Sequence, residues 1–346
     1  MSDSIPTLDV SCLYEHASNT PPASELAAKQ LAIERLADSL RDALENVGFY
    51  CLVGHQVSQI LIDRVFAATR AFHAQALSAK MAVKANEHNV GYMPVNGYVS
   101  RSSRISTSSK PNLVEAFFVK RDLPADHQDV LSNKRFRCMN QWPQAFPELR
   151  HDVLEYCTAM EQLCVKMLPV YALALDLAAD FFAPAFADPQ ITLRMSHYPP
   201  AESGDDDQFG VAPHTDSSFL TMLPQSGLPG LEIRMPSGHW LPAPAVPGSF
   251  IVNSGDMLRR WTNHRFLSTP HRVINRTPGV DRYAVPFFFD ATIDYPMACL
   301  ASCVDDEHPA RYEPVSVMEY MVWFSNQYDH VRKHDGDAVA RPGVPS

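Results

Sequence analysis

The sequence predicts a mixed α/β protein whose core is mainly β, and three observations lead to that prediction. After Pro189 the chain breaks into short apolar runs separated by Gly and Pro, a pattern typical of a sandwich or jelly roll. Before that point, apolar residues recur at helical spacing. Proline accounts for 28 of the 346 residues, above the usual share of about 5%, which suits many strand-connecting loops and argues against a helical bundle.

Helices alternate with a short strand in the N-terminal half. Gly48 is the expected stop of the first helix, Ser58 is a plausible N-cap for the second, and Pro169 should break or kink the third. The predicted elements of this half are a helix over residues 25–47, a strand over 49–53, a helix after 58 and a long helical stretch over 147–182.

Short strands follow, and a last helix comes after them. The predicted strands are 191–198, 217–223, 230–234, 249–253, 271–276 and 282–289, and the last helix lies near 317–328. Because no internal repeat occurs, we expect one folding unit instead of two independent domains. Residues 1–150 would form its mixed helical and strand N-terminal region, and residues 151–346 its jelly-roll core with the C-terminal helix.

Composition and charge exclude several classes of protein. Hydrophobic residues at 46% and charged residues at 20% describe an ordinary globular chain. The net charge is −10 and no Lys/Arg-rich run occurs, so nucleic acid is not expected as a partner. The most apolar stretch, residues 167–187, is interrupted by Pro169, Asp176 and Asp180, so we expect no membrane span.

Cysteine usage and the N-terminus favour a cytoplasmic location. The seven cysteines form no CxxC pair and mostly have apolar neighbours, which is typical of a reducing compartment and not of a secreted disulfide framework. Residues 1–4 lack the basic start and apolar core of a signal peptide.

The triplet His214-Thr215-Asp216, followed by His271, is the strongest chemical signal in the chain. Two imidazoles and one carboxylate are the ligand set of the facial triad that holds ferrous iron and leaves positions open. In an extended strand, residues two apart share a face, so His214 and Asp216 could hold one ion together, with His271 supplied by another strand. A zinc hydrolase could use similar ligands, but this set with a downstream Arg fits iron better.

Two other segments help to judge that triplet. A second His-x-Asp triplet, residues 127–129, lies in a polar stretch without a strand pattern, and we interpret it as a solvated loop. Arg282, in contrast, begins a strand-like apolar run, where its guanidinium fork could hold a carboxylate bidentately.

Further segments along the whole chain join these motifs into one pattern. They are residues 5–10, 48–50, 54–55, 80–81, 91–92, 214–221, 230–233, 253–258, 261–263, 268–273 and 282–288. As a set they resemble the iron(II)/2-oxoglutarate-dependent dioxygenase superfamily, of the isopenicillin-N-synthase-like type. The resemblance extends over roughly residues 5–328, and its motifs are specific as a set although each is weak alone.

The resemblance implies a double-stranded β-helix (jelly roll) with N-terminal and supporting helices. It also implies that His214, Asp216 and His271 bind Fe(2+), with 2-oxoglutarate and O2 as co-substrates. Arg282 would anchor the distal carboxylate of 2-oxoglutarate, assisted by Tyr198. We also carry over Ser196, which replaces the usual Asn of the family at a co-substrate-binding position.

The reaction that the resemblance implies is an oxidation of a small organic substrate. Oxidative decarboxylation of 2-oxoglutarate would give succinate, CO2 and an oxidant at the iron that hydroxylates, desaturates or cyclises the substrate. Ala284 stands where the family usually has Ser. This departure leaves open an iron-dependent oxidase of the same fold that does not use 2-oxoglutarate. A non-catalytic small-molecule binder is a third alternative, which the complete triad counts against.

A cationic segment is the candidate for substrate binding. Residues 99–110 carry three cations and no acid in an acidic protein, and they could form a lid whose Arg101 and Arg104 meet a substrate carboxylate. Tyr92 belongs to a segment that borders the active-site mouth in relatives. A solvated surface loop is the alternative interpretation of 99–110. The sequence identifies neither the substrate nor the oligomeric state.

Overall fold

Two β-sheets enclose a central cavity, and helices pack on the outer face of the larger sheet. The computed structural model describes residues 4–14, 22–95, 110–200, 208–275 and 277–325. The helices are α1 (Ala23–Asn46), α2 (Gln59–His73), α3 (Leu77–Met81), α4 (Gln128–Leu131), α5 (Glu148–Ala174), α6 (Asp256–Trp261) and α7 (Val317–Ser325). Within the described ranges, none of these helices is both long enough and apolar enough to cross a bilayer.

Fifteen strands alternate irregularly with these helices along the described chain. They are β1 (Thr7–Asp9), β2 (Phe49–Val53), β3 (Gly91–Met93), β4 (Glu115–Lys120), β5 (Pro189–Tyr198), β6 (Val211–His214), β7 (Leu220–Pro224), β8 (Leu231–Arg234), β9 (Trp240–Pro242), β10 (Phe250–Ser254), β11 (His271–Val273), β12 (Arg282–Ala284), β13 (Phe287–Thr292), β14 (Pro296–Met297) and β15 (Val315–Ser316).

The larger sheet takes strands from both halves of the chain. Its order is β1-β2-β10-β7-β13-β5-β4-β3, and β12 also pairs with β5. Strands β1 and β2 are parallel, whereas β2 pairs with β10 and β4 with β5 in antiparallel fashion. The smaller sheet, β6-β11-β8-β9, is antiparallel. Residues before and after position 150 therefore contribute to one common sheet.

Alternation along the strands of the larger sheet separates an apolar layer from the cavity. In β4, Phe117 and Val119 pack in the core under the helices, while Phe118 and Lys120 face the cavity. Strands β5 and β13 alternate in the same way, because successive side chains of a strand point to opposite faces. The cavity, of about 220 Å³, therefore has walls formed by every second residue of these strands.

Most predicted elements form close to their expected bounds. The first helix ends just before Gly48, whose φ of +74° is the left-handed conformation that favours glycine at a helix end. The strand over 49–53 is confirmed as β2, and α2 begins directly after Ser58.

Four elements differ from the prediction. The strand over 271–276 ends at Val273 as β11. Helix α5 continues through Pro169 and ends at Ala174 instead of near 182. Pro169 lies on the exposed side of the helix, where the carbonyl that loses its partner can meet water. The strand over 282–289 divides into β12 and β13 around Pro286, which has no N–H to donate to a ladder. The strand over 217–223 begins only at Leu220.

A buried polar cluster joins the larger sheet to α2 and α3. Its centre is Glu115, whose side chain is 5% exposed. Lys80 Nζ donates to Glu115 Oε2 at 2.8 Å, and the Tyr92 hydroxyl donates to the same oxygen. His197 Nδ1 lies 2.7 Å and His73 Nδ1 3.3 Å from Glu115 Oε1. We refer to these five residues as the Glu115 cluster.

Candidate active site

The predicted metal ligands come together at one side of the cavity. His214 ends β6 and His271 begins β11, and the two are register partners in the smaller sheet. Their ring centroids lie 4.3 Å apart. Asp216 Oδ1 lies 3.7 Å from His214 Nε2 and 3.5 Å from His271 Nε2. Three potential ligand atoms thus converge on one point.

Asp216 does not share a strand with His214, contrary to the sequence interpretation. Strand β6 ends at His214, and Asp216 lies in the loop before β7. Hydrogen bonds fix its carboxylate instead: Thr221 Oγ1 and Asn253 Nδ2 donate to Asp216 Oδ2 at 2.7 and 2.8 Å. Because both bonds use Oδ2, Oδ1 remains directed toward the imidazoles.

Each imidazole is oriented by a backbone carbonyl two residues earlier in the chain. His214 Nδ1 lies 2.9 Å from the Ala212 carbonyl oxygen, and His271 Nδ1 lies 3.1 Å from that of Thr269. An Nδ1–H that donates to a carbonyl leaves the Nε2 lone pair for a metal. Burial, together with the neighbouring His271, lowers the pKa of His214 to about 3, so this ring is neutral at pH 7.

The donor set fits ferrous iron. Two imidazoles and one carboxylate on one face of an ion leave the remaining positions open for other ligands. Phe49 packs edge-on against His271, with ring centroids 5.4 Å apart, and adds an apolar wall. In the Glu115 cluster, His73, Glu115 and His197 also have ligand atoms close together. There a lysine already neutralises the carboxylate, so that cluster has no need of a cation.

Arg282 is a buried cation in the cavity wall. It is 4% exposed, and its Nε and Nη1 atoms have no hydrogen-bond partner among the described residues. The guanidinium carbon lies 5.1 Å from the Tyr198 ring centroid. Gly230 leaves room for the side chain, because a Cβ there would come within 3.0 Å of Arg282 Nε. Burial lowers the pKa of Arg282, so an anion from a ligand would stabilise its charge.

The two residues predicted to assist Arg282 lie next to it on β5. Tyr198 is the register partner of Arg282, and Ser196 is the register partner of Ala284. Ser196 is fully buried, and its hydroxyl has no hydrogen-bond partner in the described part of the chain. A hydroxyl therefore stands directly across the ladder from the position where the family usually has Ser.

Of the residues predicted to bind substrate, Tyr92 lies within the described residues, and it does not join this site. Tyr92 is 1% exposed, belongs to the Glu115 cluster and does not line the cavity. Burial and Glu115 raise the pKa of the Tyr92 phenol above its ordinary range. Arg101 and Arg104 lie outside the described residues.

Three charged cavity residues were missed by the sequence interpretation. Lys120 ends β4, Arg194 lies in β5 and Asp290 lies in β13, and all three line the cavity. The continuous apolar runs 116–119 and 287–289 were the signal that could have identified Lys120 and Asp290, because such a run predicts a strand buried on both faces. A charged residue that directly continues such a run can therefore face the interior.

Two family profiles match the chain. The profile of the 2OG-Fe(II) oxygenase superfamily matches residues 189–291. The profile described as non-haem dioxygenase in morphine synthesis N-terminal matches residues 5–145. The two matches are consecutive, and the first contains all three convergent ligands and Arg282.

Relatives with similar sequences cover most of the chain. The 2-oxoglutarate-Fe(II) type oxidoreductase hxnY of Emericella nidulans is 34% identical over 82% of this chain and 82% of its own length. A 2-oxoglutarate-Fe(II) type oxidoreductase of Aspergillus fumigatus is 34% identical over 91% of this chain and 90% of its own.

Solved structures show the same architecture. A protein from Caulobacter crescentus described as of the 2OG-Fe(II) oxygenase family has a TM-score of 0.77 and 30% identity, covering 93% of this chain and 98% of that one. Neurospora crassa T7H, solved with alpha-KG and thymine, has a TM-score of 0.78, covering 94% and 97%, and at 20% identity this likeness concerns the fold. The chain therefore belongs to the 2OG-Fe(II) oxygenase superfamily and is an oxidoreductase that uses Fe(II), 2-oxoglutarate and O2.

Proposed function

We propose that oxidation of a small organic substrate takes place in this cavity, with His214, Asp216 and His271 as the iron ligands. The observation that carries the proposal is that two Nε2 atoms and one Oδ1 atom converge on one point. The second polar atom of each side chain, Nδ1 or Oδ2, is held by a hydrogen bond. Arg282 and Tyr198 would bind the distal carboxylate of 2-oxoglutarate, because a buried guanidinium with unbonded N–H groups matches a carboxylate bidentately.

The protein's own contribution is positioning and the exclusion of water. Iron and 2-oxoglutarate, when bound, supply the oxidation: O2 and the oxo acid are converted to succinate and CO2 while one substrate C–H bond is oxidised. Thr221 and Asn253 hold the carboxylate of Asp216 so that its free oxygen keeps its direction. Arg282 fixes the far end of the oxo acid, and the apolar walls keep water from the reacting centre. Hydroxylation, desaturation or ring closure then depends on the substrate.

An anaerobic titration tests the proposal directly. Adding Fe(II) and then 2-oxoglutarate should produce a visible charge-transfer band, because the oxo acid chelates the metal. An oxidase that does not use 2-oxoglutarate would bind iron without this band, and a non-catalytic binder would release no succinate in air. Absence of both signals from the folded protein would refute the assignment.

We expect Arg282→Lys to weaken 2-oxoglutarate binding about tenfold to a hundredfold, since an ammonium cannot reproduce the bidentate fork. The measurement is the 2-oxoglutarate concentration that half-saturates the charge-transfer band. Arg121→Lys is the matched control, because Arg121 binds Glu161 at 2.6 Å away from the cavity. An unchanged requirement in Arg282→Lys would assign the carboxylate to another cation, such as Arg194 in the same cavity wall.

We expect Ala284→Ser to tighten 2-oxoglutarate binding, because it restores the hydroxyl that the family usually has beside this arginine. A gain of one hydrogen bond corresponds to about 1 kcal/mol, or a several-fold lower Kd. Since Ser196 is the register partner of position 284, the double variant Ser196→Ala/Ala284→Ser shows whether the new hydroxyl acts on the ligand or only on Ser196. No change in Kd in either variant would indicate a rearranged pocket.

We also propose a cytoplasmic location and a small-molecule substrate. All seven cysteines are free thiols, which a reducing compartment supports. The cavity is concave and lined mainly by apolar side chains with a few charges, as sites for small molecules usually are.

A further inference from the structure

The cavity has a second cationic end that the iron and 2-oxoglutarate sites do not use. We propose that the substrate is a small aromatic molecule with an anionic oxygen, and that Lys120 binds this oxygen. The inference rests on the proposed function, because it names the substrate class of the same cavity.

Lys120 is a buried cation with no carboxylate at salt-bridge distance among the described residues, although Asp290 interacts with it electrostatically. It is 4% exposed, and its Nζ donates to Thr192 Oγ1 at 2.9 Å and lies 5.5 Å from the Phe136 ring centroid. Within the described chain it forms no salt bridge, in contrast to Lys80 of the Glu115 cluster. A buried charge is costly without an opposite charge. Burial lowers the pKa of Lys120 to about 8, so the ammonium still predominates at pH 7.

The strand register indicates how far Lys120 lies from the proposed metal ligands. Lys120 pairs with Thr192, Thr192 with Phe288, and Phe288 with Thr221, so these residues form one row across the sheet. Thr221 holds Asp216. The hydroxyl of Thr192 accepts a hydrogen bond from the Lys120 ammonium. Thr192 itself lies two strand spacings, or roughly 10 Å, from Thr221. This separation accommodates one six-membered ring between the anionic group and the carbon to be oxidised.

Asp290 is a carboxyl group that opposes Lys120 inside the cavity, but it neutralises the lysine incompletely. Both residues line the cavity, and burial raises the pKa of Asp290 to about 7. This carboxyl group is therefore only partly ionised at neutral pH, and an anionic oxygen of the substrate would stabilise the Lys120 charge.

The walls around Lys120 favour a flat ring. Phe118, Phe136 and Phe288 all line this part of the cavity, and aromatic side chains pack well against aromatic ligands. Asp290 adds one polar contact: its Oδ1 accepts a bond from the Phe219 N–H at 2.9 Å, and its other oxygen has no partner among the described residues. A hydroxyl or N–H group on the same ring would bind there.

Calorimetric titration with matched probes tests the proposal in the wild-type protein. Benzoate and benzamide have nearly the same shape and differ in charge, and both are titrated into the anaerobic complex with Fe(II) and 2-oxoglutarate and into the metal-free protein. We expect benzoate to bind at least about tenfold more tightly, as a charge-assisted hydrogen bond implies. 4-Nitrophenolate is the phenolate probe, and its affinity relative to benzoate distinguishes the two sources of the anionic oxygen.

Two variants assign the preference to Lys120. Lys120→Met replaces the cation with an apolar side chain of similar length and should bind benzoate no better than benzamide. Lys120→Arg keeps a cation at this position and should retain the preference. Lys166→Met is the control, because Lys166 is exposed on α5, and it should behave as the wild type.

The outcomes separate this inference from the proposed function. Equal affinity for benzoate and benzamide together with no binding of 4-nitrophenolate would overturn the anionic substrate class. A preference that persists in Lys120→Met would overturn the role of Lys120. Loss of the charge-transfer band in the wild type would instead count against the iron and 2-oxoglutarate sites, and the metal-free titration would still decide on Lys120.

Discussion

Asp216→Ala should abolish succinate formation and lower iron affinity by at least about a hundredfold, since loss of even a supporting partner of a metal ligand costs about 10- to 100-fold. The variant removes the one carboxylate that faces both His214 Nε2 and His271 Nε2. It also leaves Thr221 and Asn253 without their shared acceptor. Iron content after dialysis and succinate release in air are the measurements.

The second His-x-Asp triplet of the chain provides the control for that experiment. His127 accepts a bond from the Asp129 N–H at the start of the four-residue helix α4 and does not line the cavity. His127→Ala should therefore retain iron and activity. Near-normal turnover in Asp216→Ala, with a cooperative unfolding transition in both variants, would remove the facial triad from the mechanism.

Glu115→Ala should lower the free energy of unfolding by about 3–5 kcal/mol, the usual cost of breaking a buried ion pair by removing one partner. Glu115 accepts bonds from Lys80 and Tyr92 and lies within 3.3 Å of both His73 and His197. Its removal leaves the Lys80 ammonium buried without an opposite charge. Urea-induced unfolding followed by circular dichroism measures the change.

Acidification supplies a second readout for the Glu115 cluster. Burial opposes ionisation, but His197, His73 and Lys80 hold the pKa of Glu115 well below its usual range. A carboxyl with a depressed pKa stabilises the fold above the unfolded pKa, about 4.3, and this contribution is lost as the pH falls further. The difference in stability between wild type and Glu115→Ala should therefore shrink on acidification below about pH 4.

An exposed pair serves as the control for Glu115→Ala. Asp38 lies 3.0 Å from Arg41, with 70% of the aspartate side chain exposed, and surface pairs contribute about 0–1 kcal/mol. Asp38→Ala should therefore change stability little. A similarly small loss in Glu115→Ala would show that the cluster is replaced by water or rearranged, and would refute its structural role.

The proposed metal ligands were predictable because residue type alone nearly specifies them. His214, Asp216 and His271 carry the only chemistry needed to infer a facial triad, and Arg282 opens an apolar run that argues for burial. The sequence argument for Asp216 was nevertheless wrong, because it placed Asp216 on the same strand as His214. Asp216 lies in a loop, and two hydrogen bonds orient its carboxylate. Those bonds come from residues whose positions depend on tertiary structure.

Side-chain contacts between residues distant in sequence could not be predicted, because they too depend on tertiary structure. Glu115 contacts His197, 82 residues away, and no local pattern links two such positions. Lys120 was overlooked although it directly follows the apolar run 116–119, because a terminal Lys of a strand is usually solvated. Helix α5 continued through Pro169 because exposure of the helix there reduces the cost of the missing hydrogen bond.

The residues that line the cavity come from two stretches of the chain, which contribute strands to the same sheet. The three convergent ligands, Arg282 and Tyr198 all follow residue 188, whereas Phe118, Lys120 and Phe136 precede it. Substitutions at Phe118, Lys120 or Phe136 would thus change the proposed substrate-facing wall without altering the residues proposed to hold iron and 2-oxoglutarate. Both stretches nevertheless share one sheet, because β2 pairs with β10 and β4 pairs with β5.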